Sequence, residues 1–129
     1  MSEGIRKYKP LLKYHRVVTI SIVFITIALT YNYSQRKNTY ANGQIKSSGI
    51  TENGLNKGNW SWYYPNGKLQ MEGPFVNGKR EGVWKFYNQE GKLIQSSEYV
   101  DDKLNGWQIN YNGNGGVLSK NEYENDKLK

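Results

Sequence analysis

Displaced by 24 residues, the C-terminal two-thirds of this sequence falls back on itself. Gly43, Gly67, Gly91 and Gly115 share one column, and Gly58, Gly82 and Gly106 share another. Ile45, Leu69, Leu93 and Val117 align, as do Tyr63, Tyr87 and Tyr111, and Phe75, Tyr99 and Tyr123. A fixed period in the twenties marks an array whose units bury apolar faces on their neighbours. It divides the region into repeats 40–63, 64–87 and 88–111 and a partial repeat 112–129.

Turn signals within the array recur at alternating spacings of 11 and 13 residues. They are Asn42-Gly43, Asn53-Gly54, Asn66-Gly67, Asn77-Gly78, Glu90-Gly91, Asp101-Asp102, Asn114-Gly115 and Asn125-Asp126. Asn-Gly is the strongest local hairpin signal, because both residues tolerate the positive φ of a type I′ turn. The segments between turns alternate with period two. Leu69, Met71, Gly73 and Phe75 take one face of a strand, and Lys68, Gln70 and Glu72 take the other. The second strand of each unit is aromatic: Trp60 and Trp62, then Trp84 and Phe86, then Trp107, Ile109 and Tyr111. Trp107 stands one residue early relative to Trp84, which predicts a β-bulge or a local register change in the third unit. The expected fold is mainly β: an elongated single-layer antiparallel meander of about seven strands, with Lys120, Glu122 and Glu124 discouraging further pairing on the last of them.

The N-terminal third is different in kind. Val17 to Tyr31 carries no charge. Its Ser and Thr hydroxyls can bond back to carbonyls one turn earlier, which a helix tolerates in lipid. Tyr14, Tyr31 and Tyr33 suit the headgroup region, and Arg16 can snorkel. The expected organisation is a basic cytoplasmic segment over residues 1–16, a transmembrane signal anchor over 17–33, a linker over 34–39, and the β-repeat domain over 40–129. A cleaved signal peptide is the runner-up, with a weak cleavage motif at Ala28-Leu29-Thr30. A buried core helix is a third reading, disfavoured because the segment has no polar stripe. Five basic residues precede the segment, against Arg36, Lys37 and Lys46 after it. That asymmetry predicts a single-pass protein with its N-terminus inside and its repeats in the periplasm or outside the cell.

Charge narrows the partners. The formal net charge is +7, yet residues 40–129 hold 11 basic and 10 acidic side chains. The folded part is thus nearly neutral, and nucleic acid is not the expected partner. There is no cysteine, and the only histidine, His15, lies in the basic flank. Neither a nucleophile–histidine arrangement nor a metal site can be assembled from these residues. Asp101 and Asp102 lack the spaced oxygen ligands of a Ca²⁺ loop. Carboxylate pairs drawn from Glu72, Glu81, Glu98 or Glu122 fall on exposed strand positions or turns. The expectation is a non-enzyme without cofactor or metal.

Two signatures, Gly82-Val-Trp84-Lys-Phe-Tyr87 and Asn66-Gly67-Lys-Leu69 through Phe75-Val-Asn77-Gly78-Lys79, resemble the MORN-repeat variant family. Bacterial proteins of this kind are commonly labelled YwqK-type antitoxins of toxin–antitoxin systems. The resemblance spans residues 40–129. It implies an elongated antiparallel sheet that acts by binding, with membrane-linked scaffolding, self-association and lipid contact among the associated roles. Thr51 in the aromatic column, the early Trp107 and Asp101-Asp102 depart from the pattern. The expected task is therefore protein binding from a membrane anchor, with toxin neutralisation as one form of it. A self-associating envelope scaffold is the alternative. A lectin or carbohydrate-handling enzyme using the aromatic face is a weaker third. The candidate contact residues are Trp60, Trp62, Trp84, Phe86 and Trp107. Cross-strand packing of the same aromatics within the sheet is the competing use, and both can hold in a sheet with two faces.

Overall fold

The structure, a computed structural model, describes residues 14–30 and 38–129. They belong to two separate units, divided at Lys37. In the first, residues 14–30 form one helix, α1. Its hydroxyls do bond back: Thr19 Oγ1 donates to His15 O at 2.9 Å, Ser21 Oγ to Val17 O at 2.9 Å and Thr30 Oγ1 to Ile27 O at 2.8 Å. At 1.5 Å per residue the described part of α1 spans about 26 Å. Among the described residues no helix is long and apolar enough to cross a membrane. Of the expected span at 17–33, residues 17–30 are helical, as are Tyr14 and Arg16 ahead of them, while Tyr31 and Tyr33 lie outside the described residues.

The second unit is one antiparallel sheet. Its strands are β1 (Ser47–Glu52), β2 (Leu55–Tyr63), β3 (Leu69–Val76), β4 (Lys79–Arg80), β5 (Gly82–Tyr87), β6 (Leu93–Val100), β7 (Lys103–Tyr111), β8 (Val117–Glu124) and β9 (Lys127–Leu128). The order is β1-β2-β3-β5-β6-β7-β8-β9, and β4 pairs with β3 in line with β5. Seven long strands thus follow chain order, as the turn spacing predicts. The Thr39–Ile45 bridge continues the pairing one hairpin earlier.

Eight turns are present, but they are of two kinds. Asn53-Gly54, Asn77-Gly78, Asp101-Asp102 and Asn125-Asp126 have positive φ at both residues, as a type I′ turn requires. At the opposite ends of the strands, Gly43, Gly67 and Gly91 have positive φ while the residue before each does not. There Gly67 N donates to Tyr64 O at 2.8 Å and Tyr64 N to Lys68 O at 2.8 Å. This is a type I turn closed by a left-handed glycine, with Pro65 and Asn66 at its centre. The fourth turn of this row, Asn112–Gly116, departs from it by placing Gly113 at positive φ as well.

The register change expected in the third unit is present, between Ser97 and Tyr99, but it is not peculiar to that unit and does not account for the early Trp107. Ser48 faces Ser61 while Ile50 faces Lys57; Glu72 faces Lys85 while Phe75 faces Arg80; Ser97 faces Gln108 while Tyr99 faces Leu104. Every unit therefore carries the same excursion of two extra residues. Gly58, Gly82 and Gly106 sit in it at φ 66°, 77° and 117°. The excursion explains the 11/13 alternation of the turns. Trp107 occupies the 24-residue equivalent of Val83, so its strand is in register and its ring leaves by the other face.

The core is a stripe on one face. Trp84 is 2% exposed. Its ring packs on Trp62 at 5.7 Å, Phe75 at 5.0 Å and Tyr99 at 6.5 Å between centroids. Trp60 extends the ladder to Trp62 at 5.5 Å. Gly73 lies beneath the Trp84 ring and Gly49 beneath that of Trp60. The indole nitrogens donate to Pro74 O at 3.2 Å and Ile50 O at 3.0 Å.

Candidate functional site

Each strand alternates between two faces, here called the Trp84 face and the Trp107 face. Down the repeat the two exchange character. On the Trp84 face, Trp60 and Trp84 are followed by Gln108, Trp62 and Phe86 by Asn110, Met71 by Gln95 and Ser119, and Gly73 by Ser97 and Asn121. On the Trp107 face, Asn59 and Val83 give way to Trp107, Ser61 and Lys85 to Ile109, and Gln70 to Ile94 and Leu118. The change falls between β5 and β6.

The five candidate contact residues consequently do not form one surface. Trp60, Trp62, Trp84 and Phe86 share the Trp84 face, where the three tryptophans pack on one another and on Phe75. Trp84 is withdrawn as a contact residue, because a side chain this buried has no area left for a partner. Trp107, 38% exposed, stands on the other face with Ile94 at 38%, Val83 at 48% and Leu118 at 69%. No ring ladder covers these side chains, so this stripe remains open to solvent. Lys120 Nζ lies 3.9 Å from the Trp107 ring centroid. Glu98 Oε2 accepts the Trp107 backbone N–H at 3.1 Å, and Glu122, opposite Trp107 on β8, accepts from Lys129 Nζ at 2.9 Å.

The predicted turn residues join one unit to the next. Tyr40 and Tyr64 hydroxyls donate to Tyr63 O and Tyr87 O, each at 2.8 Å. Asn66 Nδ2 donates to Gln89 O at 2.9 Å. At the other end Gly78 N donates to Asn56 O at 3.0 Å, and Asp102 accepts Arg80 N at 2.8 Å and Arg80 Nε at 3.1 Å. The Arg80 backbone N–H, reinforced by its guanidinium, holds the Asp102 carboxyl below its ordinary range. Asp101 binds Lys79 Nζ at 2.6 Å, and that bond raises the Lys79 ammonium. Both aspartates are thus engaged in unit-to-unit ties, and among the described residues no cluster of acids or histidine is placed to hold a metal.

These ties join successive hairpins into one array. Residues 57–77 and 80–101 match the MORN repeat variant. The matches run from β2 to β6 and contain the aromatic ladder and the turns at Asn66-Gly67 and Glu90-Gly91. MORN repeats generally serve as protein- or membrane-binding modules. No curated protein matches the chain.

Two features of these units escaped sequence reading. One is the pairing of Trp60 with Gly49 and of Trp84 with Gly73, visible in the columns as Gly, Gly, Ser, Asn set against Trp, Trp, Gln. The other is the Tyr87 hydroxyl, which donates to Glu72 Oε1 at 2.8 Å on the Trp107 face. Burial, then that carboxylate, pushes the phenol up to about 12. One repeat on, Tyr111 meets Ser96 at 3.2 Å in the same geometry.

Proposed function

We propose that this chain is a membrane-anchored binding protein that works without catalysis, and that its partner is a protein toxin it neutralises by complex formation. The observation that carries the binding role is the open apolar stripe of Val83, Ile94, Trp107 and Leu118, set on a sheet whose other apolar face is already self-covered. Trp107, half-exposed and set among Lys120, Glu98 and Glu122, is an aromatic anchor of the kind on which protein contacts centre. The anchor is supported by the uncharged run Val17–Tyr31, by its back-bonded hydroxyls, and by the basic residues ahead of it. Those residues favour a cytoplasmic N-terminus and translocated repeats.

The test is affinity capture with the full-length chain from solubilised membranes of the native host. Trp107→Ala should lose the captured protein, and Trp60→Ala, on the covered face, should keep it. Deleting the gene alone should arrest growth, and restoring wild type but not Trp107→Ala should relieve the arrest. Recovery of only the chain itself, as a concentration-dependent dimer and with no growth defect, would replace this reading by the self-associating scaffold. Release of the full-length chain from vesicles by alkaline carbonate would remove the anchor.

A further inference from the structure

The exchange of character between faces leaves a second surface, one that is neither apolar nor charged. On the Trp84 face, β6, β7 and β8 present Gln95, Gln108, Asn110, Ser119 and Asn121, half-buried, around a Ser97 that they bury completely. No carboxylate, ammonium or guanidinium projects from these three strands on this face. The nearest guanidinium, that of Arg80, is spent on the ring of Tyr99 at 4.0 Å. Exposed sheet faces are ordinarily solvated by Lys, Glu and Arg, as the neighbouring Glu72 and Lys85 row on the Trp107 face is.

The amides are only half used. Gln95 Nε2 donates to Ser97 Oγ at 2.8 Å, Gln108 Nε2 to the same oxygen at 3.4 Å, and Asn110 Nδ2 to Ser119 Oγ at 2.8 Å. Those bonds fix the side-chain rotamers. Among the described residues they leave the amide oxygens of Gln95, Gln108 and Asn110, and both amide atoms of Asn121, without a protein partner. None of these atoms is buried and unsatisfied. The amides of Gln95, Gln108 and Asn110 are therefore held in place as a grid on strands about 4.8 Å apart, with Asn121 beside them. Tyr99 and Tyr123 border the grid and flank Gly106, which stands opposite Tyr123.

The chemistry of the grid selects its occupant. An anion or cation set on it would find no opposite charge, and an apolar surface would strip water from amides and leave them unpaired. A ligand that satisfies it must be uncharged and rich in both donors and acceptors along its length. We infer that this face binds a neutral polysaccharide strand, lying across β6, β7 and β8 with its hydroxyls on the amides and a sugar face against Tyr123. The site is distinct from the aromatic face, where the rings are consumed by one another, and from the Trp107 stripe on the reverse side. It stands or falls independently of the protein partner proposed above.

The experiment is a titration of the full-length ¹⁵N-labelled chain, in a zwitterionic detergent free of sugar headgroups, with maltohexaose, cellohexaose and chitohexaose. At least one of them is expected to shift the side-chain amide resonances of Gln95, Gln108, Asn110 and Asn121 while the remaining amides stay in place. Gln108→Glu, isosteric but charged, and the double variant Gln108→Ala/Asn110→Ala should each weaken binding at least tenfold with the backbone spectrum retained. Trp107→Ala should leave the affinity unchanged. Absence of side-chain shifts with all three sugars at about 10 mM overturns the inference, as does binding lost with Trp107→Ala but kept in the amide variants.

Discussion

Gly73→Ala isolates the contact on which the aromatic stripe depends. Gly73 does not adopt a positive φ, so alanine costs nothing in backbone conformation there. The cost is steric. A Cβ on Gly73 would lie 2.4 to 2.5 Å from Cδ2, Cε2 and Cγ of Trp84, where ordinary carbon contacts need about 3.5 Å or more. The atoms it meets belong to a ring wedged between Trp62, Phe75 and Tyr99, not to a flexible side-chain end. The ring must rise by about 1 Å, which carries an overpacking cost of about 1–3 kcal/mol. Lifting it also stretches the 3.2 Å bond from Nε1 to Pro74 O, a further loss of about 0.5–1.5 kcal/mol. Restriction of the unfolded chain by alanine returns about 0.4–1 kcal/mol. The net destabilisation expected is about 2–3 kcal/mol. The assay is urea unfolding of the full-length chain followed by tryptophan fluorescence. Trp84→Leu removes the clashing ring, so in a double-mutant cycle Gly73→Ala should cost far less in that background. A Gly73→Ala midpoint within error of wild type, or additive effects in the cycle, would refute the claim that a glycine floor holds Trp84 in place.

The third unit tests the same rule in reverse. Ser97 stands where Gly73 stands one repeat earlier, so Gln108→Trp alone should destabilise, and adding Ser97→Gly should recover most of the loss in thermal melts. Tyr87→Phe should cost about 1 kcal/mol through loss of the bond to Glu72. Because the folded phenol is raised to about 12, its contribution is complete below the unfolded value of about 10 and is lost as pH rises through 12; the variant should lack that alkaline decline in a pH series of urea midpoints. Asp102 has the opposite sign. Its carboxyl is lowered in the fold, so its contribution is present above the unfolded value of about 3.9 and fades as pH falls through the folded one. Asp102→Asn should flatten the acid limb of the same series, and high salt should shrink the difference because the pair with Arg80 is half-exposed.

Period and turn chemistry made the sheet legible before any coordinates. Gly43, Gly67 and Gly91 announced one row of turns, and Asn53-Gly54 and Asn77-Gly78 the other. Two things were less visible. The excursion at Gly58, Gly82 and Gly106 adds two residues to a strand without changing the parity of its faces, so alternation alone does not reveal it. In the sequence Trp107 suggests a strand out of step, because a residue that moves by one in an aligned array looks the same whether the backbone slips or the side chain is simply assigned to the other face. Only the pairing of Gly106 with Tyr123 and of Trp107 with Glu122, each 24 residues on from its counterpart on β5 and β6, separates the two.

The early Trp107 is then the visible end of a wider change. A single-layer sheet that kept one apolar face throughout would need a covering partner along its whole length. Here the first half covers itself, because Gly49 and Gly73 let the indoles lie flat enough to pack ring on ring. Ser97 ends that device, and from β6 onward the apolar residues move to the reverse side. The stitching of the turns changes at the same seam. Tyr40 and Tyr64 reach forward into the next unit, whereas Asn88 and Asn112, in the same column, accept backbone N–H groups of their own turns. Stability is thus concentrated in the first two units, where tryptophans are spent on each other. The last two hold their fold with hydroxyl and amide bonds, and keep Trp107 on one side and an amide grid on the other free for contact.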